Sequence, residues 1–130
     1  MIAKGSRVIE INTINKKFQK EMNSGIASLI LLSVMDQDQE PKYGYQIAKL
    51  LGTGNKDTTL IKQGALYPVL RSLEKYGLLE SKVEPSVSGP PRRYYTITDS
   101  GRDILEGWID IWNQTKDFVD NVLKGENHVQ

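Results

Sequence analysis

Gln63, Tyr67 and Arg71 stand four residues apart, the repeat that places side chains on one stripe of an α-helix. They supply an amide, a phenol and a guanidinium, groups that hydrogen-bond base edges and phosphate oxygens. Lys62 precedes the stripe and adds a cation. Further along, Arg92 and Arg93 follow the run Gly89-Pro90-Pro91, where two guanidinium groups could enter a narrow groove or clamp phosphates. A solvated helix face has the same spacing, and charged residues also blunt exposed strand edges. The pattern therefore needs a scaffold before it means recognition.

Other chemistries lack their materials. The chain has no cysteine, which excludes disulfides, thiolate catalysis and cysteine-based zinc sites. Its one histidine, His128, lies in a polar tail, so neither a histidine metal cluster nor a catalytic triad can be built. Aspartates and glutamates are scattered, and no phosphate-cradling glycine loop or nucleophile in a recognisable setting appears. The expectation is a protein that is not an enzyme and carries no metal or other cofactor.

The formal net charge is only +1, so its distribution matters more than its sum. Residues 62–103 hold seven Lys or Arg against five Asp or Glu, a local balance of +2. Residues 104–130 hold two against five, a balance of −3. This bias permits nucleic-acid binding with a small electrostatic footprint.

The elements that must position these groups follow from periodicity and punctuation. With 130 residues and 38% hydrophobic content, the chain suits one compact core with an appendage. Residues 1–22 read as an N-terminal arm, partly helical, with Val8, Ile9, Ile11, Ile14 and Phe18 among lysines. Asn23 or Ser24 is a suitable N-cap for a helix over 25–35 that is apolar nearly all round and hence buried. After a polar loop ending near Pro41, Ile47, Leu50 and Leu51 mark a short second helix, which Gly52 to Asn55 would stop. A third helix is expected from about Gly64 to Tyr76, with Leu66, Val69, Leu70 and Leu73 inward and Gly77 closing it. Pro68 should lie near its first turn, where a missing N–H costs least. Strands over 78–84 and 92–97 flank a proline-rich tip that cannot pair as a ladder.

Thr98 then reads as the N-cap of a helix running to about Lys124. It carries two apolar seams, one of Ile104, Trp108, Ile111, Thr115, Phe118 and Val122, the other of Leu105, Ile109, Trp112, Val119 and Leu123. One seam suffices for packing on a small domain, so the other should meet a second chain. Trp108, Ile111, Trp112, Thr115, Phe118, Val119 and Val122 are the candidate dimerisation residues. The division is an arm (1–22), a winged helix-turn-helix domain (23–97), a C-terminal dimerisation helix (98–124) and a polar tail (125–130). The fold class is mainly α with a small β-hairpin.

Three helices followed by a hairpin is the winged helix order, in which the third helix enters the major groove. The run Gly64-Ala65-Leu66-Tyr67-Pro68-Val69-Leu70-Arg71-Ser72-Leu73-Glu74-Lys75-Tyr76-Gly77-Leu78-Leu79, followed by Gly89-Pro90-Pro91-Arg92-Arg93-Tyr94-Tyr95-Thr96-Ile97-Thr98, resembles the PadR family of bacterial and archaeal transcriptional regulators. Tyr43-Gly44-Tyr45-Gln46-Ile47 resembles the second-helix motif of that family. The match covers about residues 24–124. A single C-terminal helix resembles the small subfamily, whose members dimerise through that helix and the N-terminal one. The resemblance implies DNA contact by Lys62, Gln63, Tyr67, Arg71, Arg92 and Arg93. It also implies that Trp112 is a candidate to stack a planar aromatic small molecule at a dimer centre, although a tryptophan on an apolar seam more often serves as core or interface packing. The proline-rich tip and N-terminal extension resemble the period-extender branch, which implies a circadian clock gene as target.

The reading is thus a homodimeric repressor on double-stranded DNA with a pseudo-palindromic operator. Its rivals are an aromatic-compound sensor repressor and a winged helix used only for protein contacts. No apolar run reaches the roughly 18 residues of a spanning helix and the first residues lack a signal-peptide core, so a cytoplasmic protein without a membrane partner is expected.

Overall fold

The computed structural model describes residues 4–52 and 63–125, arranged as four helices and a small antiparallel sheet. The elements are α1 (Lys4–Asp36), β1 (Lys42–Tyr43), α2 (Gly44–Gly52), α3 (Gln63–Lys75), β2 (Leu79–Glu84), β3 (Arg92–Ile97) and α4 (Asp99–Lys124). This is a winged helix with a long C-terminal helix.

No helix start occurs at Asn23 or Ser24, because α1 runs unbroken through both. The reason is local: Lys16 to Met22 are mostly good helix formers, and Gly25 alone costs only about 1 kcal/mol against alanine. At 33 residues α1 is about 50 Å long, far longer than the domain it enters. Its C-terminal third supplies Ala27, Leu31, Leu32 and Met35 to the core. Ile47 of α2, Leu66, Leu70 and Leu73 of α3, then Leu78, Leu79, Tyr95, Ile97 and Leu105 complete it. Each fully buried leucine contributes roughly 1.5–3 kcal/mol.

The hairpin pairs as expected, with Leu79 opposite Ile97 and Glu84 opposite Arg92. A third strand was not legible in the sequence. Lys42 and Tyr43 add to the other edge of β3, opposite Tyr95 and Tyr94, giving the order β1-β3-β2. Two residues are too few to show an alternation. Lys42 is buried, and its ammonium is held by the Asp38 carboxylate and the Glu40 carbonyl. The hydrogen bond from Lys42 holds the Asp38 carboxyl below the usual carboxylate range.

Caps set the helices that matter for function. The amide of Tyr43 donates to the Gln46 side chain at 3.1 Å, half of a capping box at the start of α2. After α3, Gly77 takes φ +77°, its amide donates to the Glu74 carbonyl, and the Leu78 amide donates to the Leu73 carbonyl, forming a Schellman motif. Pro68 is the sixth residue of α3, deeper than the first turn, so the helix forgoes the amide that would bond back to Gly64. At the start of α4, Thr98 accepts from the Gly101 amide at 2.9 Å and donates to the Gly77 carbonyl at 2.7 Å. Gly125, at φ +73°, ends α4 where the sequence places its stop.

One expectation about α4 needs correction. The domain takes up Leu105 and, partly, Trp108, one residue from each apolar seam, and not one whole seam. Beyond Trp108 both seams are exposed, including Ile111, Trp112, Phe118, Val119, Val122 and Leu123. A 26-residue helix spans about 39 Å, and the domain covers only its first turns.

Candidate nucleic-acid interface

Side-chain alternation on β3 sends Tyr95 and Ile97 into the core, which puts Arg93 on that same face and Arg92, Tyr94 and Thr96 on the other. The two adjacent arginines therefore start from opposite faces of β3. Arg93 reaches diagonally to β2 and donates from Nη1 to Ser81 Oγ at 2.9 Å. Arg92 lies with its guanidinium carbon 4.5 Å from the ring centre of Tyr43. Cation–π contact of this kind contributes about 0.5–1 kcal/mol at an exposed site. Tyr43 is itself braced, edge-on to Tyr94 at 5.4 Å and stacked beside Tyr45 at 6.4 Å. Both arginines thus line the cleft beside α3 and the start of α2, a placement that residue type alone did not give.

Between α3, the wing and the start of α2 lies a cleft of about 500 Å³ lined by Tyr43, Gly44, Tyr67, Arg71, Glu74, Arg92, Arg93 and Tyr95. Four residues singled out from sequence spacing meet there: Tyr67, Arg71, Arg92 and Arg93. Gln63 opens α3 one turn before Tyr67, and Lys62 lies outside the described residues. Tyr67 remains 44% exposed, with its phenol against Gly44. Burial first, and then the Glu74 charge, push the Tyr95 phenol above its ordinary pKa, so it stays neutral through physiological pH. The lining combines three guanidinium groups with one carboxylate and tyrosine hydroxyls, a surface suited to phosphate oxygens and polar base edges.

A family model for the transcriptional regulator PadR-like family matches residues 31–107, the span that holds α2, α3, the wing and the first turns of α4. The chain belongs to the PadR family. A PadR family transcriptional regulator from Eggerthella lenta is 31% identical, with a TM-score of 0.75 over 88% of this chain and 96% of that one. A PadR-like regulator from Bacillus cereus is 32% identical, with a TM-score of 0.64 over 82% and 99%. A transcriptional regulator from Clostridium thermocellum is 27% identical, with a TM-score of 0.67 over 78% and 93%. No curated protein matches the chain. This PadR family member is accordingly a transcriptional regulator and not an enzyme. Among the described residues, no helix is long and apolar enough to cross a membrane.

Sequence reading missed three lining residues of the cleft, Tyr43, Gly44 and Tyr95, and also Ser81, which lies outside the lining and bonds Arg93 from β2. Gly44 had a signal in the Tyr-Gly-Tyr run. Ser81 had none, since its role depends on the register that sets it opposite Tyr95 and diagonal to Arg93. Glu74 was readable as part of the polar face of α3, but not as a hydrogen-bond acceptor for the wing.

Proposed function

We propose that this PadR regulator binds double-stranded DNA as a homodimer in the cytoplasm and represses transcription from a pseudo-palindromic operator. In this reading α3 enters the major groove, Lys62, Gln63, Tyr67 and Arg71 face bases and phosphates, and Arg92 and Arg93 hold the flanking backbone. The observation that carries it is the shared cleft, where side chains from α3 and from the wing converge. Chance solvation of a helix face gives no reason for wing arginines to turn toward the same cavity.

The balance of +2 over residues 62–103 makes one copy a weak binder, because affinity scales with the phosphates neutralised. Pairing two copies doubles that number. The exposed apolar length of α4, from Ile111 through Trp112, Thr115, Phe118 and Val119 to Val122, is the surface that supports pairing, and the exposed Val8, Ile11, Ile14 and Phe18 of α1 extend it. Trp108 contributes at the margin, where it also packs on its own core. A circadian clock gene is the target favoured by the resemblance of the wing tip and N-terminal extension to the cyanobacterial period-extender regulators.

The test is selection of duplexes from a randomised pool by the full-length protein, followed by titration of the recovered sequence at several salt concentrations. Two half-sites about one helical turn apart are expected. Recovery of no sequence, with no salt-dependent affinity, would leave a winged helix used for protein contacts.

A second reading has one specific observation in its favour. The Trp112 indole is 40% exposed in the protomer, within the face expected to meet a second copy. A planar aromatic compound stacked there would make the protein a ligand-responsive repressor. Quenching of tryptophan fluorescence by such compounds, lost in Trp112→Ala, is the measurement that separates this reading from a repressor without an inducer.

A further inference from the structure

The cleft holds a carboxylate among its guanidinium groups. Glu74 lies in the last turns of α3, on a wall that is to face phosphates, where a free negative charge would repel them. It is anchored: Ser81 Oγ donates to Glu74 Oε2, and the serine Oγ in turn accepts from Arg93 Nη1 at 2.9 Å. A guanidinium can only donate and a carboxylate can only accept, so the serine hydroxyl has one orientation. The chain of bonds crosses from β3 through β2 to α3. It is the polar tie, among the described residues, between the wing arginine and the helix that carries Tyr67 and Arg71.

We propose that Ser81 is a positioning residue for DNA recognition, holding the Arg93 guanidinium at the α3 side of the wing while Glu74 orients its hydroxyl. The proposal rests on the reading that Arg93 meets DNA. A hydroxyl spacer has a physical advantage over a direct Arg93–Glu74 pair. A bidentate ion pair would occupy one edge of the guanidinium and compensate its charge, whereas one bond to a neutral hydroxyl uses a single N–H and leaves the charge for phosphate. Without the spacer, Arg93 and Glu74 are left to pair with each other, at the expense of the phosphate contact.

The experiment uses the full-length protein and the duplex recovered from the randomised pool. Ser81→Ala is expected to weaken binding about fivefold, the order of one hydrogen bond. Ser81→Thr, which keeps the hydroxyl on a residue that suits a strand, is expected to bind as the wild type does. In an Arg93→Ala background, Ser81→Ala is expected to change affinity by less than about twofold, since the group it positions is gone. Melting temperatures measured alongside identify any variant that has lost its fold. Equal losses in the wild-type and Arg93→Ala backgrounds would overturn the proposal in favour of a structural serine, and so would failure of Ser81→Thr to bind better than Ser81→Ala. Arg93→Ala binding as tightly as the wild type would instead remove the DNA contact that the proposal presupposes.

Discussion

The phenol of Tyr67 lies over Gly44 so closely that a Cβ at Gly44 would sit 2.6 Å from the tyrosine oxygen. Gly44 begins α2 and Tyr67 belongs to α3, so this contact fixes where a candidate base-reading side chain stands relative to its supporting helix. Gly44→Ala would push the ring aside. Because the clashing atoms are the end of a side chain that is 44% exposed, the ring can swing out and global stability should fall by less than about 1 kcal/mol. Affinity for the selected duplex should nevertheless fall severalfold. Parallel thermal melts and binding titrations check this, and unchanged affinity would show that the ring position is unimportant.

Gly101 presents the opposite case. A Cβ there would lie 2.2 Å from the Leu78 carbonyl oxygen, an atom of the backbone that also accepts from the Thr98 amide. The backbone oxygen cannot swing away, and the buried Ile97 side chain closes in at 2.8 Å. Gly101→Ala is expected to destabilise the fold by about 2–4 kcal/mol, as backbone strain or loss of the α4 junction. Thr98→Ala, which removes only the cap and the bond to Gly77, should cost about 1 kcal/mol. Urea unfolding of the two variants tests the ranking, which fails if Thr98→Ala is the more damaging.

Tyr95 gives a pH prediction. Its folded pKa is raised above the ordinary 10.0, chiefly by burial and next by the Glu74 charge. The folded state therefore holds this proton more tightly than the unfolded chain. The associated stability is intact below pH 10 and is lost as pH rises through the folded value. Tyr95→Phe should flatten the fall in melting temperature above pH 10 while leaving the neutral-pH profile similar in shape. Superimposable alkaline limbs for wild type and Tyr95→Phe would refute the assignment.

Self-association is expected to depend on the outer part of α4. Phe118 and Val122 are exposed and lie four residues apart on one stripe. Phe118→Asp together with Val122→Asp should yield a folded monomer, since neither side chain belongs to the core. DNA affinity should drop by at least tenfold, because one chain offers half the phosphate contacts of two. Light scattering and a binding titration on the same sample test both halves of this expectation. A dimer that survives the double substitution would place the interface elsewhere.

The amino-acid sequence by itself determined the order of elements and the chemistry available. Periodicity marked α3 and α4, Gly77 and Gly125 marked their ends, and Thr98 marked a cap, since each is a local preference of a few residues. It also excluded thiol chemistry, because cysteine is missing, and left histidine chemistry only a single tail residue, His128. Tertiary structure decided what no local rule contains. The length of α1 follows from the absence of a strong breaker combined with docking of its far end. The pairing of Lys42 and Tyr43 with β3 depends on a partner strand some fifty positions away in sequence. Above all, the directions of Arg92 and Arg93 were set by contacts across elements: one stacks on Tyr43 of β1, the other bonds Ser81 and through it Glu74. Residue type made both arginines candidates for phosphate, but only strand register and the meeting of three elements decided that they share a cleft with Tyr67 and Arg71.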